Sequence, residues 1–275
     1  MSRNPQMQTV RRACLVCATI LLVCATISPG RCADEKLQVG RQKKQADANY
    51  SFQADHDPNG IGKFYMGREI AHVMGFGPRG SGARWLERTS REREEKLSLM
   101  IKSLKLKPGD VIADIGAGSG VISILMAEQI GPKGKVLAVD VQQKMLDRLK
   151  ARCKKLGVTN VEPVKGIAKS PQLKSQSVDM AIFVDVYHEL DFPYEMMREI
   201  SKSLKTGGRA VFVEYRMEDR TVPIKLVHKM TQAQVKREIG RPELALKWKE
   251  TIGVLPWQHI IIFEKQADKK TTGVR

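Results

Sequence analysis

Along the 275-residue chain the spacing of apolar positions changes several times, and each change marks a new element. Between residues 91 and 106, Leu97, Met100, Ile101 and Leu104 recur at helical spacing, and Pro108-Gly109 ends that stretch. Upstream, residues 61–105 read as a mostly helical cap, broken by the Gly/Pro/Ser-rich segment 75–82. Residues 34–60, polar and closing on Asp57-Pro58-Asn59-Gly60, read as a linker.

From residue 111 the pattern alternates. Short apolar runs at 111–115, 135–141, 161–165, 177–184 and 209–214 suit buried strands. Helices are expected over 121–130, 143–156 and 193–204, the last closed by Gly207-Gly208. Strands separated by single helices imply a parallel sheet with right-handed crossovers. A helix over 230–239 then precedes two runs, 245–252 and 259–264, joined by a connection short enough for an antiparallel pair. The domain so outlined covers residues 106–266, with a tail over 267–275.

Composition adds little until charge is considered. A hydrophobic share of 42% supports a real core and excludes a fibrous or wholly disordered chain. The net charge is +17, of which the four arginines of residues 1–33 supply four. Such an excess attracts phosphates or anionic surfaces. The lysines are scattered along the body, however, which favours a solvated surface over a nucleic-acid face. The densest charged run, Glu87 to Lys96, mixes both signs and reads as an exposed helix face.

The first 33 residues form a separate unit. Arg11-Arg12 precede the apolar run Ala13 to Ile27, followed by a small residue, Ala33, before charged sequence. This is the layout of a secretory signal peptide, with an exported or envelope-associated product. An uncleaved membrane anchor is the alternative, because Arg31 sits where a small residue is preferred. Four of the five cysteines lie in this leader, and the rest of the chain keeps only Cys153, too few for an internal disulfide or a cysteine metal cluster.

The chemistry gathers after the first strand of the alternating region, at Asp114-Ile-Gly116-Ala-Gly118-Ser-Gly120. A ligand lying over the edge of a parallel sheet needs close backbone approach, which glycines at 116, 118 and 120 supply, and the next helix offers free N–H groups. A dinucleotide fingerprint requires glycine at position 121, which is Val121 here. Asp114 places negative charge where an ammonium or sulfonium could sit, or merely braces the turn. Asp140 ends the second strand 20 residues beyond Gly120, where an acid accepts ribose hydroxyls.

On these residues the chain resembles the class I S-adenosylmethionine-dependent methyltransferases. More narrowly, Phe64-Tyr-Met-Gly-Arg-Glu-Ile70, Trp85-Leu-Glu-Arg88, Val184-Asp-Val-Tyr-His-Glu189, Val213-Glu-Tyr-Arg216, Val222-Pro-Ile-Lys225 and His228-Lys-Met230 resemble a bacterial group of methyltransferase-domain proteins. The resemblance implies an α/β, Rossmann-like, seven-stranded mixed sheet of order 3-2-1-4-5-7-6 with strand 7 antiparallel, preceded here by the helical extension. It implies S-adenosyl-L-methionine as cofactor, with Asp114, Gly116, Gly118 and Gly120 at the methionyl end and Asp140 at the ribose. Many relatives carry an acid after the third strand for the adenine amino group. Here that stretch is Gly166-Ile-Ala-Lys169, leaving Ile167 to pack on the adenine face.

The acceptor chemistry is expected at the ends of strands four and five. The candidates are Asp185 beside the cofactor, Tyr187, His188 and Glu189 after strand four, and Glu214 with Tyr215 and Arg216 after strand five. His188 suits a general base, alternatively a packing or capping residue. Asp185, His188, Glu189 and Glu214 could collect a divalent cation, but their spacing does not enforce it, and no metal is expected. His228 and Lys229 are candidates for a substrate wall. Arg68 and Trp85 are candidates for a lid, with Trp85 alternatively a core anchor. The acceptor is expected to be a small molecule or a protein side chain. A non-catalytic adenosyl-binding protein and an RNA methyltransferase are the competing readings.

Overall fold

A computed structural model describes residues 49–267. The leader, most of the 34–60 segment and nearly all of the tail lie outside the described residues.

The chain opens with three short antiparallel strands, β1 (Tyr50–Phe52), β2 (Gly60–Tyr65) and β3 (Arg68–Ala71), in the order β1-β2-β3. This corrects the helical expectation for residues 61–105 and places a strand inside the expected linker. β2 and β3 are joined by Met66-Gly67, both at positive φ (49° and 88°), which fits the twist of a two-residue hairpin. The burial of Tyr65 and Ile70 against Tyr194 anchors this small sheet. Helices follow only later: α1 (Ser81–Leu86), α2 (Arg91–Glu95) and α3 (Leu97–Ser103).

The remainder alternates as expected: β4 (Val111–Ile115), α4 (Val121–Ile130), β5 (Lys135–Asp140), α5 (Gln143–Leu156), β6 (Val161–Lys165), β7 (Val178–Val184), α6 (Pro193–Ser203) and β8 (Leu204–Arg216). A two-residue strand, β9 (Lys229–Met230), precedes α7 (Gln232–Ile239), and β10 (Leu246–Ile252) and β11 (Gln258–Lys265) close the sheet. The order is β10-β11-β8-β7-β4-β5-β6, with β11 antiparallel to both neighbours. Counting the seven long strands in chain order, this is 3-2-1-4-5-7-6. β9 was not foreseen; it pairs parallel with the end of β8, Tyr215 opposite Lys229.

The central strands are nearly continuous apolar runs because both faces are covered. One face carries Phe183, Phe212, Tyr187 and Phe263 under α6 and α7; the other carries Ile112, Met180, Ile182 and Val211 under α3 and α4. In α5, Met145, Leu146, Leu149 and Cys153 form the buried stripe, and Gly157 in the left-handed conformation caps its end. The carboxyl ends of β4, β5 and β7 open on one edge of the sheet, where a doubly wound topology leaves its crevice.

Candidate active site

A cavity of about 630 Å³ occupies that edge. Gly116 and Gly118 form part of its wall at φ +72° and +55°, in the left-handed region that side chains strain to adopt. A Cβ at Gly116 would stand 2.6 Å from Val186 Cγ1, and one at Gly118 would stand 2.5 Å from Leu86 Cδ1. Gly120 is not on the wall; it leaves room for Leu149 of α5. The role that the structure shows for Gly120 is packing.

Asp140 lines the cavity, with Oδ2 accepting from the Gly118 N–H at 2.9 Å and Oδ1 from the Gln142 N–H at 2.7 Å. Both oxygens keep a lone pair for a ribose hydroxyl. Burial raises the carboxyl's pKa against the pull of those two amides. Ile167, 53% exposed, stands on the wall beside Ala168 as an apolar surface for a base. Asp114 does not reach the cavity. It is buried, Oδ2 accepting from Ser123 Oγ at 2.5 Å, and burial pushes its pKa up to about 6. That hydrogen bond ties the end of β4 to the first turn of α4.

Asp185 sits at the floor in a left-handed conformation, φ +54°, rare for a residue with a side chain. Its Oδ2 accepts from Gln258 Nε2 at 3.0 Å, while Oδ1 is buried without a hydrogen-bond partner. Burial raises this carboxyl well above the usual range, and Glu95 and Glu214 add to the effect. A buried, unpaired acceptor on a cavity wall fits a ligand that brings a donor or a positive charge.

His188 is enclosed, 2% exposed, yet borders the cavity. Its Nδ1 donates to Glu214 Oε2 at 2.5 Å, which leaves Nε2 facing His228 Nδ1 at 3.2 Å. Burial disfavours the imidazolium, but the charge and hydrogen bond of Glu214 outweigh it and raise the His188 pKa. Burial raises Glu189 to about 7 and depresses His228 to about 4.

Two expected catalytic groups do not touch the cavity. Tyr187 is fully buried, its ring edge-on to Phe183 and Phe212, because the 3₁₀ turn Tyr187–Glu189 sends it into the core as His188 faces outward. Glu214 lies behind His188, accepting from the Tyr187 N–H at 2.9 Å, and is a positioning residue. Lys229 is likewise buried, donating to Val222 O, whereas His228 does form a wall. Arg68 is no lid. It pairs with Glu238 at 2.9 Å and donates to the His188 carbonyl at 3.1 Å, bracing the turn from within.

Apart from Trp85, the sequence reading missed the contribution of residues 72–95. Residues His72 to Met74 line the cavity, the Met74 N–H donating to Glu189 Oε2 at 3.1 Å and Met74 O accepting from Gln142 Nε2 at 3.0 Å. The run Glu87 to Lys96 is a solvated face only in part: Glu92, Arg93 and Lys96 are exposed, whereas Arg91 and Glu95 are buried, paired at 2.6 Å, and both line the cavity. Arg88 joins Glu95, and Tyr215 OH donates to the same carboxylate at 3.4 Å. Trp85 is on the rim, half exposed under the Arg88 guanidinium at 3.9 Å, rather than in the core. The one available signal was Leu97, Met100 and Ile101 immediately after the charged run, which ties that run to the core.

Residues 106–265 match a family described as "Methyltransferase domain". The chain belongs to this methyltransferase-domain family. S-adenosyl-L-methionine is accordingly the cofactor of the domain, and Asp140, the glycine backbone and the unpaired Asp185 oxygen fit it. A demethylmenaquinone methyltransferase of Lactobacillus johnsonii is 29% identical over 114 residues, 41% of this chain and 47% of that protein. An uncharacterized 37.1 kDa protein in transposon TN4556 of Streptomyces fradiae is 28% identical over 125 residues, 46% of this chain and 36% of that protein. The chain thus spans about half the length, or less, of these curated relatives. Among solved structures, an S-adenosylmethionine-dependent methyltransferase from Aquifex aeolicus shares the fold with a TM-score of 0.63 at 23% identity, covering 67% of this chain and 97% of its own. The cyclase SpnF shares it with a TM-score of 0.53 at 15% identity, covering 63% and 82%.

Proposed function

We propose that the protein transfers the methyl group of S-adenosylmethionine by in-line displacement to a small molecule or a protein side chain. The observation that carries this reading is one cavity lined by two unlike sets of residues. Asp140 and the apolar Ile167 suit the adenosyl group; His188, Glu189, His228 and Asp185 suit an acceptor. The sulfonium is already activated, so the protein mainly aligns the acceptor and helps it lose a proton. His188 serves that loss, held in one orientation by Glu214 and braced through its carbonyl by Arg68. Exported or envelope-associated location remains part of the proposal on the strength of the leader. Scattered lysines speak for a protein or small-molecule acceptor over RNA.

Calorimetry with S-adenosylmethionine and its demethylated product tests the cofactor half; absence of binding by either ends the reading. Incubation of the protein with labelled cofactor and a cell extract, read by mass spectrometry, tests transfer. His188→Ala is expected to bind cofactor normally and lose turnover, and full turnover in that variant would remove His188 from the reaction. Because the same fold also hosts the cyclase SpnF, binding without label transfer to any component would favour an adenosyl-binding protein instead.

A further inference from the structure

The acceptor set of the cavity gathers three donor atoms from two segments 40 residues apart. His188 Nε2 and His228 Nδ1 are 3.2 Å from each other. Glu189 Oε1 stands 3.9 Å from the first and 3.7 Å from the second. Those last two separations exceed hydrogen-bond length, so the carboxylate faces both imidazoles while bonding neither ring. A hydrogen-bonded trio leaves that spacing unexplained. An ion between the three atoms accommodates it, since the point equidistant from all three lies about 2.1 Å from each, the length of a bond from zinc to nitrogen or oxygen.

The surroundings fix each donor. The bond from His188 Nδ1 to the fully buried Glu214 carboxylate leaves the Nε2 lone pair aimed at the cluster. That is the carboxylate–histidine pairing that orients metal-bound imidazoles. The other oxygen of Glu189 accepts from the Met74 N–H, which turns Oε1 inward. The two rings stand edge to face at 87°, so their nitrogens converge rather than stack. Two imidazoles and one carboxylate select a borderline transition ion over magnesium or calcium, which prefer all-oxygen shells.

We propose that His188, Glu189 and His228 bind one divalent transition-metal ion of the zinc class, with its remaining coordination position open to the cavity. The ion would supply a Lewis acid that draws an acceptor hydroxyl or thiol towards Asp185 and lowers its proton affinity; the proton would pass to the unpaired Asp185 oxygen as the methyl group moves from sulfur to the acceptor and the demethylated cofactor leaves. Nε2 of His188 is then a ligand, and assistance to the acceptor comes through the ion. That second role rests on the methyl-transfer reading; metal binding itself does not.

The test uses untagged full-length protein stripped with a chelator and titrated with cobalt(II). The expected result is a visible d–d spectrum that saturates at one ion per chain and is displaced by zinc(II). His228→Ala and Glu189→Gln, each checked for parental far-UV circular dichroism and thermal midpoint, are expected to weaken binding at least tenfold. No spectrum, or one that persists at parental affinity in both variants, overturns the site. Calorimetry with S-adenosylmethionine on the same samples separates the two readings. Cofactor binding without cobalt binding sinks the metal site alone, and cobalt binding without cofactor binding sinks methyl transfer alone.

Discussion

The sheet domain and the segment before it build one cavity by opposite means. In the sheet domain, position follows from local pattern: an apolar strand, a glycine turn and a helix put Gly116, Gly118 and Asp140 at the sheet edge whatever lies above them. In residues 49–105 local pairing, such as the i,i+4 bridge of Arg91 and Glu95, does not by itself decide which way the active side chains face. Arg91 and Glu95 face inward only because Asp185 and Tyr215 lie beneath them, and Arg68 is buried only because Glu238, 170 residues away, meets it. Charge on a domain core would be costly, yet here buried charge closes the site, compensated pair by pair. The segment is therefore as much a part of the site as the sheet.

The strongest way to break that equivalence is Glu95→Ala. It removes the nearest carboxylate of the buried Arg91, 5% exposed, leaving only Asp185 at 3.9 Å, and takes one of two carboxylates from Arg88, which keeps Glu94. A loss of about 3–5 kcal/mol in urea unfolding is expected, as large as truncating a core aromatic. A loss below about 1 kcal/mol would show the segment to be an accessory layer.

The sheet side has its own electrostatic signature. Asp114 rises from 3.8 in the unfolded chain to about 6 when folded, because burial penalises the carboxylate. Below about pH 3 the group is neutral in both states; as pH climbs through the unfolded value and on past about 6 the unfolded chain ionises first, so stability falls, by roughly 3 kcal/mol in all. Asp114→Asn, which keeps a partner for Ser123, is expected to flatten that part of the stability–pH curve. An identical slope in the variant would assign it elsewhere.

Where the two regions touch, Gly118→Ala measures their coupling. The left-handed φ alone costs about 1–2 kcal/mol, and the clash with Leu86 adds to it. Combining it with Leu86→Ala is expected to recover the steric share, a non-additivity of about 1 kcal/mol by double-mutant cycle. Strict additivity would place Leu86 away from the turn. The smallest effect belongs to Trp85→Ala: stability within about 0.5 kcal/mol of the parent, since the ring is half exposed, but a few-fold weaker cofactor binding in calorimetry from the lost rim.

The same contrast explains what was legible. The hairpin β2–β3 escaped because its turn is Met66-Gly67 rather than an Asn-Gly or Asp-Gly pair, and its strands lack clean alternation. The run Glu87 to Lys96 escaped because composition cannot tell paired buried charge from solvated charge. Tyr187 and His188 are neighbours in sequence, and only the 3₁₀ turn decides that one enters the core and the other the cavity. His228 gained its importance from meeting His188 across 40 residues.

The strand order and the cofactor came with the family resemblance; the sequence by itself determined the succession of strands and helices, the glycine turn and the acid at the end of the second long strand. Those features rest on short-range backbone geometry and on hydrophobic periodicity, both of which a linear chain displays. Only the tertiary structure decided which charged side chains are buried, which of two adjacent residues faces the acceptor, and that His188, Glu189 and His228 converge. These depend on partners far apart in the chain, and the free energy of burying a polar group is set by the partner it meets rather than by its own position in the sequence.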